Sequence, residues 1–161
     1  MMNDLVSTLD DLLQAHERLL ALAQKKSDTI KEGDFATLDQ VMNQEQSMIQ
    51  AITQLEERRL NMTETFFREK GVHNDGTLTM LIAHAPEVTG RRLQDTQLQL
   101  ANVLYELQAV NQFNQELLSQ SLEWVHLNMN LAQPKTEPTN YEPPSKQKLN
   151  TPATSRFDSR A

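Results

Sequence analysis

The stretch IKEGDFATL, residues 30–38, decides how this chain folds. Gly33 suits the left-handed backbone conformation in which many helices end, and Asp34 is a favoured N-cap for a following helix. One helix therefore ends and another begins within three residues. Because short connections make neighbouring helices antiparallel, this stretch predicts a helical hairpin.

The residues before the turn predict a first helix from about Leu5 to Glu32. A stripe of mainly apolar residues recurs there at alternating spacings of four and three, which keeps one helix face toward a neighbour. Its members are Leu5, Leu9, Leu12, His16, Leu19, Ala23, Lys26 and Ile30. Asn3 or Asp4 is placed to cap the start of this helix.

The residues after the turn predict a second helix of about 35 residues that ends near Lys70 and Gly71. Its stripe keeps the same spacing with one slip and is interrupted by Glu45 and Arg59. The stripe residues are Phe35, Leu38, Met42, Glu45, Ile49, Ile52, Leu55, Arg59, Met62 and Phe66.

A third long helix is predicted from about Pro86 to Ala132, after a polar turn and a short helical turn that Thr77 can cap. Gly90 weakens the first turn, so the helix could begin a few residues later. The stripe comprises Leu93, Thr96, Leu100, Val103, Leu104, Leu107, Val110, Asn111, Asn114, Leu117, Leu118, Ser121, Leu122, Val125 and Met129.

The third helix is about 10 residues, or roughly 15 Å, longer than the second. We expect this surplus at its C-terminal end, beyond the Gly33 turn. Apolar residues there have no predicted neighbour within the chain, namely Leu118, Leu122, Val125 and Met129. An uncovered apolar stripe of this kind is typical of a surface that binds another helix.

These elements predict an all-α fold, an elongated antiparallel three-helix bundle or coiled-coil hairpin with a long third helix. Residues 1–132 form the helical domain, and residues 133–161 form a flexible tail that holds five of the six prolines. Such a composition buries too little apolar surface to offset the entropy of ordering. Tyr141 and Phe157, the aromatic residues of the tail, are candidate docking points.

Charge and composition exclude several classes of function. The helical domain holds 10 basic and 19 acidic residues, so it repels the phosphate backbone and nucleic acid is not expected as a partner. The chain has no cysteine, no signal-peptide pattern and no apolar run long enough to span a bilayer. We therefore expect a soluble cytoplasmic protein.

The sequence offers no constellation that predicts catalysis. Glu123 and His126 have the Glu-x-x-His spacing of di-metal bundles, but the second copy that such sites need is absent. The four histidines lie on different segments without ligand spacing, and no Gly-rich phosphate loop is present. We expect no enzyme activity, no metal and no cofactor.

Two amides on the stripe of the third helix are informative. Asn111 and Asn114 lie on an apolar seam, where an amide costs stability unless it is paired. Such a residue either fixes the register between helices or bonds a partner's backbone. Both interpretations stay open.

The chain resembles the FlgN-type flagellar export chaperones. The resemblance lies in the run from Lys31 to Leu38, in a later Leu-Glu-rich run with an arginine, and in a late Asn-x-x-Leu-Leu-x-x-Ser-Leu pattern. The later residues are Glu45, Ile52, Leu55, Glu56, Arg59, Asn111, Asn114, Leu117, Leu118, Ser121, Leu122 and Val125. It covers most of residues 1–132, and the ending 155–161 is similar to tails of some Gram-positive members.

The resemblance implies a chaperone that binds the C-terminal helical regions of the hook–filament junction proteins FlgK and FlgL. It would prevent their premature assembly and deliver them to the flagellar type III export gate. The predicted client-binding residues are Asn114, Leu117, Leu118, Ser121, Leu122, Val125 and Met129, with Asn114 and Ser121 fixing the register of the client.

An alternative is a coiled-coil scaffold or adaptor that forms a homodimer. In that case the uncovered stripe closes on a second copy of the chain. The mass in solution separates a monomeric chaperone from an obligate dimer.

Overall fold

The computed structural model describes residues 1–73 and 76–132, and these residues contain four α-helices and no strand. The helices are α1 (Met2–Glu32), α2 (Phe35–Lys70), α3 (Leu78–His84) and α4 (Glu87–Ala132). The all-α prediction is confirmed. The sequence predicted three helices, whereas the described residues form four, because the segment after Thr77 is a separate short helix. The predicted flexible tail, with Tyr141 and Phe157, lies outside the described residues.

The chain divides into two compact units, Met1–Ser121 and Leu122–Ala161. The first unit contains α1, α2, α3 and the larger part of α4. The described part of the second unit is the end of α4, residues 122–132. In the described residues, no helix is both long enough and apolar enough to cross a membrane.

The turn between α1 and α2 has the predicted chemistry. Gly33 has a φ of 73°, and the amides of Gly33 and Asp34 donate to the carbonyls of Ile30 and Thr29. The Asp34 carboxylate then caps α2, because it accepts from the Thr37 amide at 3.1 Å and from the Thr37 hydroxyl at 2.6 Å. The Thr37 hydroxyl, and after it the Thr37 amide, holds the pKa of the Asp34 carboxyl below its usual range.

The start of α1 differs from the prediction. The N-cap position is Met1, which makes no side-chain capping bond, whereas Asn3 and Asp4 already lie in the first turn. The Asp4 carboxylate lies 3.4 Å from the terminal amine of Met1. A negative charge in the first turn interacts favourably with the positive end of the helix dipole. Asp4 therefore stabilises the start of α1 without forming a cap.

The buried face of α2 is narrower than the predicted stripe and lies partly to one side of it. Three residues outside the stripe are buried, namely Val41, Thr63 and Phe67. Three stripe residues are exposed, namely Phe35, Met42 and Ile49. In the described chain, only α1 and α2 have backbones that approach over an extended length. The face of α2 toward α1 is therefore covered, while the flank of α2 that carries Phe35, Met42 and Ile49 is exposed.

The connection to α4 is fixed by a capped short helix. The Thr77 hydroxyl accepts from the Met80 amide at 3.2 Å, as predicted, and starts α3. The next long helix begins at Glu87, immediately after Pro86. Gly90 does not delay this start. It is buried, and a Cβ atom at this position would lie 3.4 Å from the Ile82 carbonyl oxygen, so its missing side chain lets α3 and α4 approach closely.

Two apolar clusters hold the first unit together. The larger cluster joins all four helices, and its buried members are Leu5, Val6, Leu9, Leu12, Phe67, Leu81 and Leu93. The smaller cluster joins α1 to α4 through Leu19, Ala23 and Leu107, with Met48 and Ile52 of α2 packed against it. Burial of a Leu or Phe side chain contributes about 1.5–3 kcal/mol, so the larger cluster dominates the stability of this unit.

Polar contacts define the direction of α4. Arg92 at the start of α4 lies 2.6 Å from the Asp10 carboxylate of α1. Further along, Asn114 bonds to Ala23, and the Lys31 ammonium lies 5.3 Å from the centre of the Phe113 ring. From the Asp10–Arg92 contact to the Ala23–Asn114 contact the residue numbers rise in both helices, so α4 runs parallel to α1 and antiparallel to α2.

Candidate functional site

The end of α4 is the most exposed apolar segment of the described chain. Every side chain of residues 122–131 is exposed. The exposed fractions of the large apolar residues range from 40% for Val125 to 76% for Leu131. These residues are Leu122, Trp124, Val125, Leu127, Met129 and Leu131.

The apolar residues of this segment form two faces. The first apolar face consists of Leu122, Val125 and Met129, spaced by three and four residues, which places them on one side of the helix. It corresponds to the predicted client-binding residues of this segment. An exposed helix face of this kind gains stability when another apolar surface covers it.

The second apolar face consists of Trp124, Leu127 and Leu131, also spaced by three and four residues. The helical period places it opposite the first apolar face. The sequence prediction omitted these three residues because it extended a single stripe from the preceding turns. Their own spacing was the signal that could have revealed them.

Four of the predicted client-binding residues lie in the first unit, and they are not equally accessible. Leu117, Leu118 and Ser121 are half-buried. Asn114 is buried, with 2% of its surface exposed. The predicted set therefore combines exposed, half-buried and fully covered side chains.

The buried amide of Asn114 makes its hydrogen bonds within the chain. Its Nδ2 atom donates to the Ala23 carbonyl at 2.8 Å, and its Oδ1 atom accepts from the Ser27 hydroxyl. Of the two interpretations of this amide, these bonds favour the fixing of helix register. Asn114 is thus not available to a client in this structure. Asn111, by contrast, is exposed.

A second polar contact joins α1 to α2, one residue before Ser27 on α1. The Lys26 ammonium of α1 lies 3.5 Å from Oε1 of Glu45 on α2, and both side chains are largely buried. The same oxygen makes no hydrogen bond in the described part of the chain, so the contact is an ion pair without hydrogen-bond geometry. It accounts for Lys26 and Glu45, two of the three charged residues on the predicted stripes, because each neutralises the other.

A groove with a cavity of about 510 Å³ lies between α1, α2 and α4, and residues 76–79 at the start of α3 also line it. Its apolar lining includes Leu9 and Leu12 of α1, Ile52 of α2, and Leu100 and Leu104 of α4. Buried Arg59 borders it and is held in place, since its guanidinium donates to Glu56 at 2.6 Å and to the Gly76 carbonyl at 3.2 Å. This bonding explains why an arginine is tolerated on the predicted stripe of α2.

A second and shallower depression, of about 630 Å³, lies along α4 alone and adjoins the first. The two share Leu104, which lines both. The remaining lining residues are Leu107, Gln108, Asn111, Gln112 and Gln115. The surface is therefore apolar at its base and bears carboxamides along its length.

The described residues offer no constellation for metal chemistry. Within residues 1–73 and 76–132, no group of three or more histidine or acidic side chains converges on a point that could hold an ion. Glu123 and His126 are both exposed on α4.

The fold and the exposed end of α4 define a class of all-helical proteins that present an apolar helix surface. Within that class, the chain belongs to the FlgN family, a family of flagellar export chaperones, whose model matches residues 1–148. The chain is also 31% identical to the uncharacterized protein YvyG of Bacillus subtilis (strain 168) over 160 residues, which is 98% of this chain and 97% of that protein. No solved structure matches the chain.

Proposed function

We propose that the protein is a cytoplasmic flagellar export chaperone for the hook-associated proteins FlgK and FlgL. It binds their C-terminal helical segments, prevents premature assembly and delivers them to the type III export apparatus. The observation that carries this proposal is the exposed first apolar face at the end of α4, in a chain that belongs to the FlgN family.

The client contacts are assigned to the first apolar face and to the half-buried residues that precede it on α4. Leu117, Leu118, Leu122, Val125 and Met129 supply the apolar contact, and Ser121 supplies a hydroxyl at its edge. An amphipathic client helix that covers these residues removes apolar surface from water, at about 25 cal/mol for each Å² buried. The tail residues Tyr141 and Phe157 are proposed as further docking points.

Co-purification tests the proposal directly. The full chain is co-expressed with a tagged C-terminal segment of FlgK or FlgL, and the tag is used for purification. We expect a stable complex that contains both chains. A tagged segment of matched length from the other end of the same client serves as the control. Equal recovery with both segments, or no recovery with either, contradicts the proposal.

The alternative is a homodimeric scaffold, and the second apolar face is the observation that favours it. A helix segment that is apolar on two sides is also covered when a second copy of the chain packs against it. Sedimentation equilibrium distinguishes the two functions. A dimer that persists at low micromolar concentration and excludes the FlgK segment supports the scaffold, whereas a monomer that forms a complex supports the chaperone.

A further inference from the structure

We infer that the first unit holds a second client contact, a groove between α2 and α4 that receives one helix with an uncharged face. This inference rests on the proposed function and assigns a docking site to a part of the chain separate from the first apolar face. The groove is named here the α2–α4 groove. Its walls are Met42, Ile49 and Glu56 of α2 and Leu104, Asn111 and Gln115 of α4.

The α2 wall is an exposed stripe with heptad spacing. Phe35, Met42 and Ile49 are exposed by 61%, 46% and 44%, and they lie seven residues apart. The next position in this series is Glu56, which lines the 510 Å³ cavity together with residues of α4. Residues seven apart lie on nearly the same side of a helix, so Met42 and Ile49 are assigned to the flank of α2 that borders α4 at Glu56.

The α4 wall continues through both cavities. Leu104 lines both, and Asn111 and Gln115 extend the wall toward the end of the first unit. Leu104 is 47% exposed although it lies on the predicted core stripe. The flank of α2 is therefore mainly apolar, the flank of α4 combines Leu104 with carboxamides, and both are incompletely covered. Leu9 and Leu12 of α1 lie at the base of the 510 Å³ cavity.

The spacing and length of the walls match a helix. The side chains of an exposed heptad stripe can interdigitate with those of an additional helix, in knobs-into-holes packing. From Met42 to Glu56 the α2 wall rises by about 21 Å, the length of a helix of roughly 14 residues. A helix in this position adds a fourth long helix to α1, α2 and α4.

The charge of the lining selects the kind of helix. Glu56 and Arg59 border the groove as a pair with an N–O distance of 2.6 Å, and Gln108, Asn111, Gln112 and Gln115 are neutral. The His16 ring is bonded to the Leu12 carbonyl at 2.8 Å. A charge buried against this surface without a partner is strongly unfavourable, so the complementary helix face carries apolar and amide side chains.

The concave shape of the groove at the 510 Å³ cavity disfavours a second copy of the chain as the occupant. A two-fold dimer brings the same patch of each subunit together, so a groove would face a groove. Two concave surfaces leave an unfilled cavity, which costs stability. A convex helix from a different chain fills the same space.

Single cysteines give a direct test, because the chain has no native cysteine. Ile49→Cys and Leu104→Cys place benzophenone-maleimide labels on the two walls. The matched controls are Ser47→Cys and Asn102→Cys, which are exposed, lie two residues away on the same helices and point away from the groove. Each labelled chain is irradiated with the C-terminal segment of FlgK, after binding of that segment to the unlabelled chain has been measured.

We expect cross-links to the segment from Ile49→Cys and Leu104→Cys at least about fivefold above the two controls, since photolabels react only at contact distance. Cross-links that equal those of the controls, while the unlabelled chain binds the segment, overturn the groove and leave the proposed function intact. Cross-links between two copies of the chain overturn it in favour of self-association. Absence of binding to the unlabelled chain overturns the proposed function and the groove together.

A charge substitution provides an independent measurement. Ile49→Glu combined with Leu104→Glu is expected to weaken binding of the FlgK segment by roughly tenfold or more, because it buries unpaired carboxylates. Ser47→Glu combined with Asn102→Glu adds the same charge to the same helices and should leave binding within about twofold. Circular dichroism checks that both variants remain helical. Equal affinities of the two double variants contradict the groove.

Discussion

Asn114 shows how one side chain sets the alignment of two long helices. Apolar ridges can slip past one another at small cost, whereas an amide that must pair has one favourable position. Asn114 hydrogen-bonds to the Ala23 carbonyl and the Ser27 hydroxyl, one turn beyond the residues of α4 that belong to the smaller cluster or pack against it. A register fixed at this residue determines which residues of α4 are covered by α1.

Replacing Asn114 with Ala is expected to destabilise the protein by about 2 kcal/mol, because the Ser27 hydroxyl and the Ala23 carbonyl lose a partner and a small cavity forms. Chemical denaturation followed by circular dichroism measures the change. Asn111→Ala removes the same amide from an exposed position of the same helix and should change stability by less than about 0.5 kcal/mol. Equal effects of the two substitutions contradict the assigned role of Asn114.

The pKa of Asp34 leads to a prediction about pH. Since the folded pKa lies below the ordinary value of 3.8, the carboxylate stabilises the fold at pH values above 3.8. This contribution is lost as the pH falls through the folded pKa. Asp34→Asn keeps a capping side chain but does not titrate. We expect the parent chain to melt a few degrees higher than the variant at pH 7, with the difference disappearing toward pH 2. A constant difference across this range contradicts the assignment.

At the scale of elements, the α1–α2 hairpin is determined by local chemistry and could be predicted from the sequence. Gly33 and Asp34 act through the backbone and through a side chain three residues away, so no tertiary information is needed. The predicted end of α1 and the predicted start of α3 were right for the same reason. The predicted N-cap of α1 was wrong, because the position is occupied by Met1 and not by Asn3 or Asp4.

The buried face of α2 could not be derived from its own sequence. Its period is clear, but which side of a wide stripe is covered depends on how many neighbours the helix has. Here α1 covers one side, and the flank with Met42 and Ile49 is left open. Similarly, the prediction for α4 followed one stripe and omitted Trp124, Leu127 and Leu131, because a single period does not reveal a helix that is apolar on two sides.

Substitution of Gly33 tests the importance of the hairpin turn. A Cβ atom at this position meets no atom within 4 Å, so the cost of Gly33→Ala is conformational and arises from the φ of 73°. We expect destabilisation by about 1 kcal/mol, measured by thermal or chemical unfolding. Gly33→Asn should cost less, since asparagine tolerates the left-handed conformation better than alanine. An alanine variant as stable as the parent contradicts this account of the turn.

At the scale of the whole molecule, the side chains that stabilise the fold differ from the exposed side chains assigned to client binding. The large cluster of Leu5, Phe67 and Leu93 stabilises the first unit. The apolar residues of the second unit, from Leu122 to Leu131, are exposed and do not belong to either cluster. Substitutions at the end of α4 should therefore affect binding without affecting the stability of the helices.

The affinity for a client segment tests this central claim most directly. Leu122→Asp combined with Val125→Asp places two carboxylates on the first apolar face. Asn128→Asp combined with Asn130→Asp adds the same charge to the same segment without removing apolar surface. Leu127→Asp combined with Leu131→Asp alters the second apolar face. Isothermal titration with the C-terminal segment of FlgK measures each affinity, and circular dichroism measures helix content.

We expect Leu122→Asp/Val125→Asp to weaken binding by at least about a hundredfold, since two carboxylates would be buried without partners. The Asn128→Asp/Asn130→Asp control should bind within about threefold of the parent chain, and Leu127→Asp/Leu131→Asp should retain most of the affinity. Helix content should be unchanged in all three. Undiminished binding by the Leu122→Asp/Val125→Asp variant, with the parent chain binding the segment, would contradict the account.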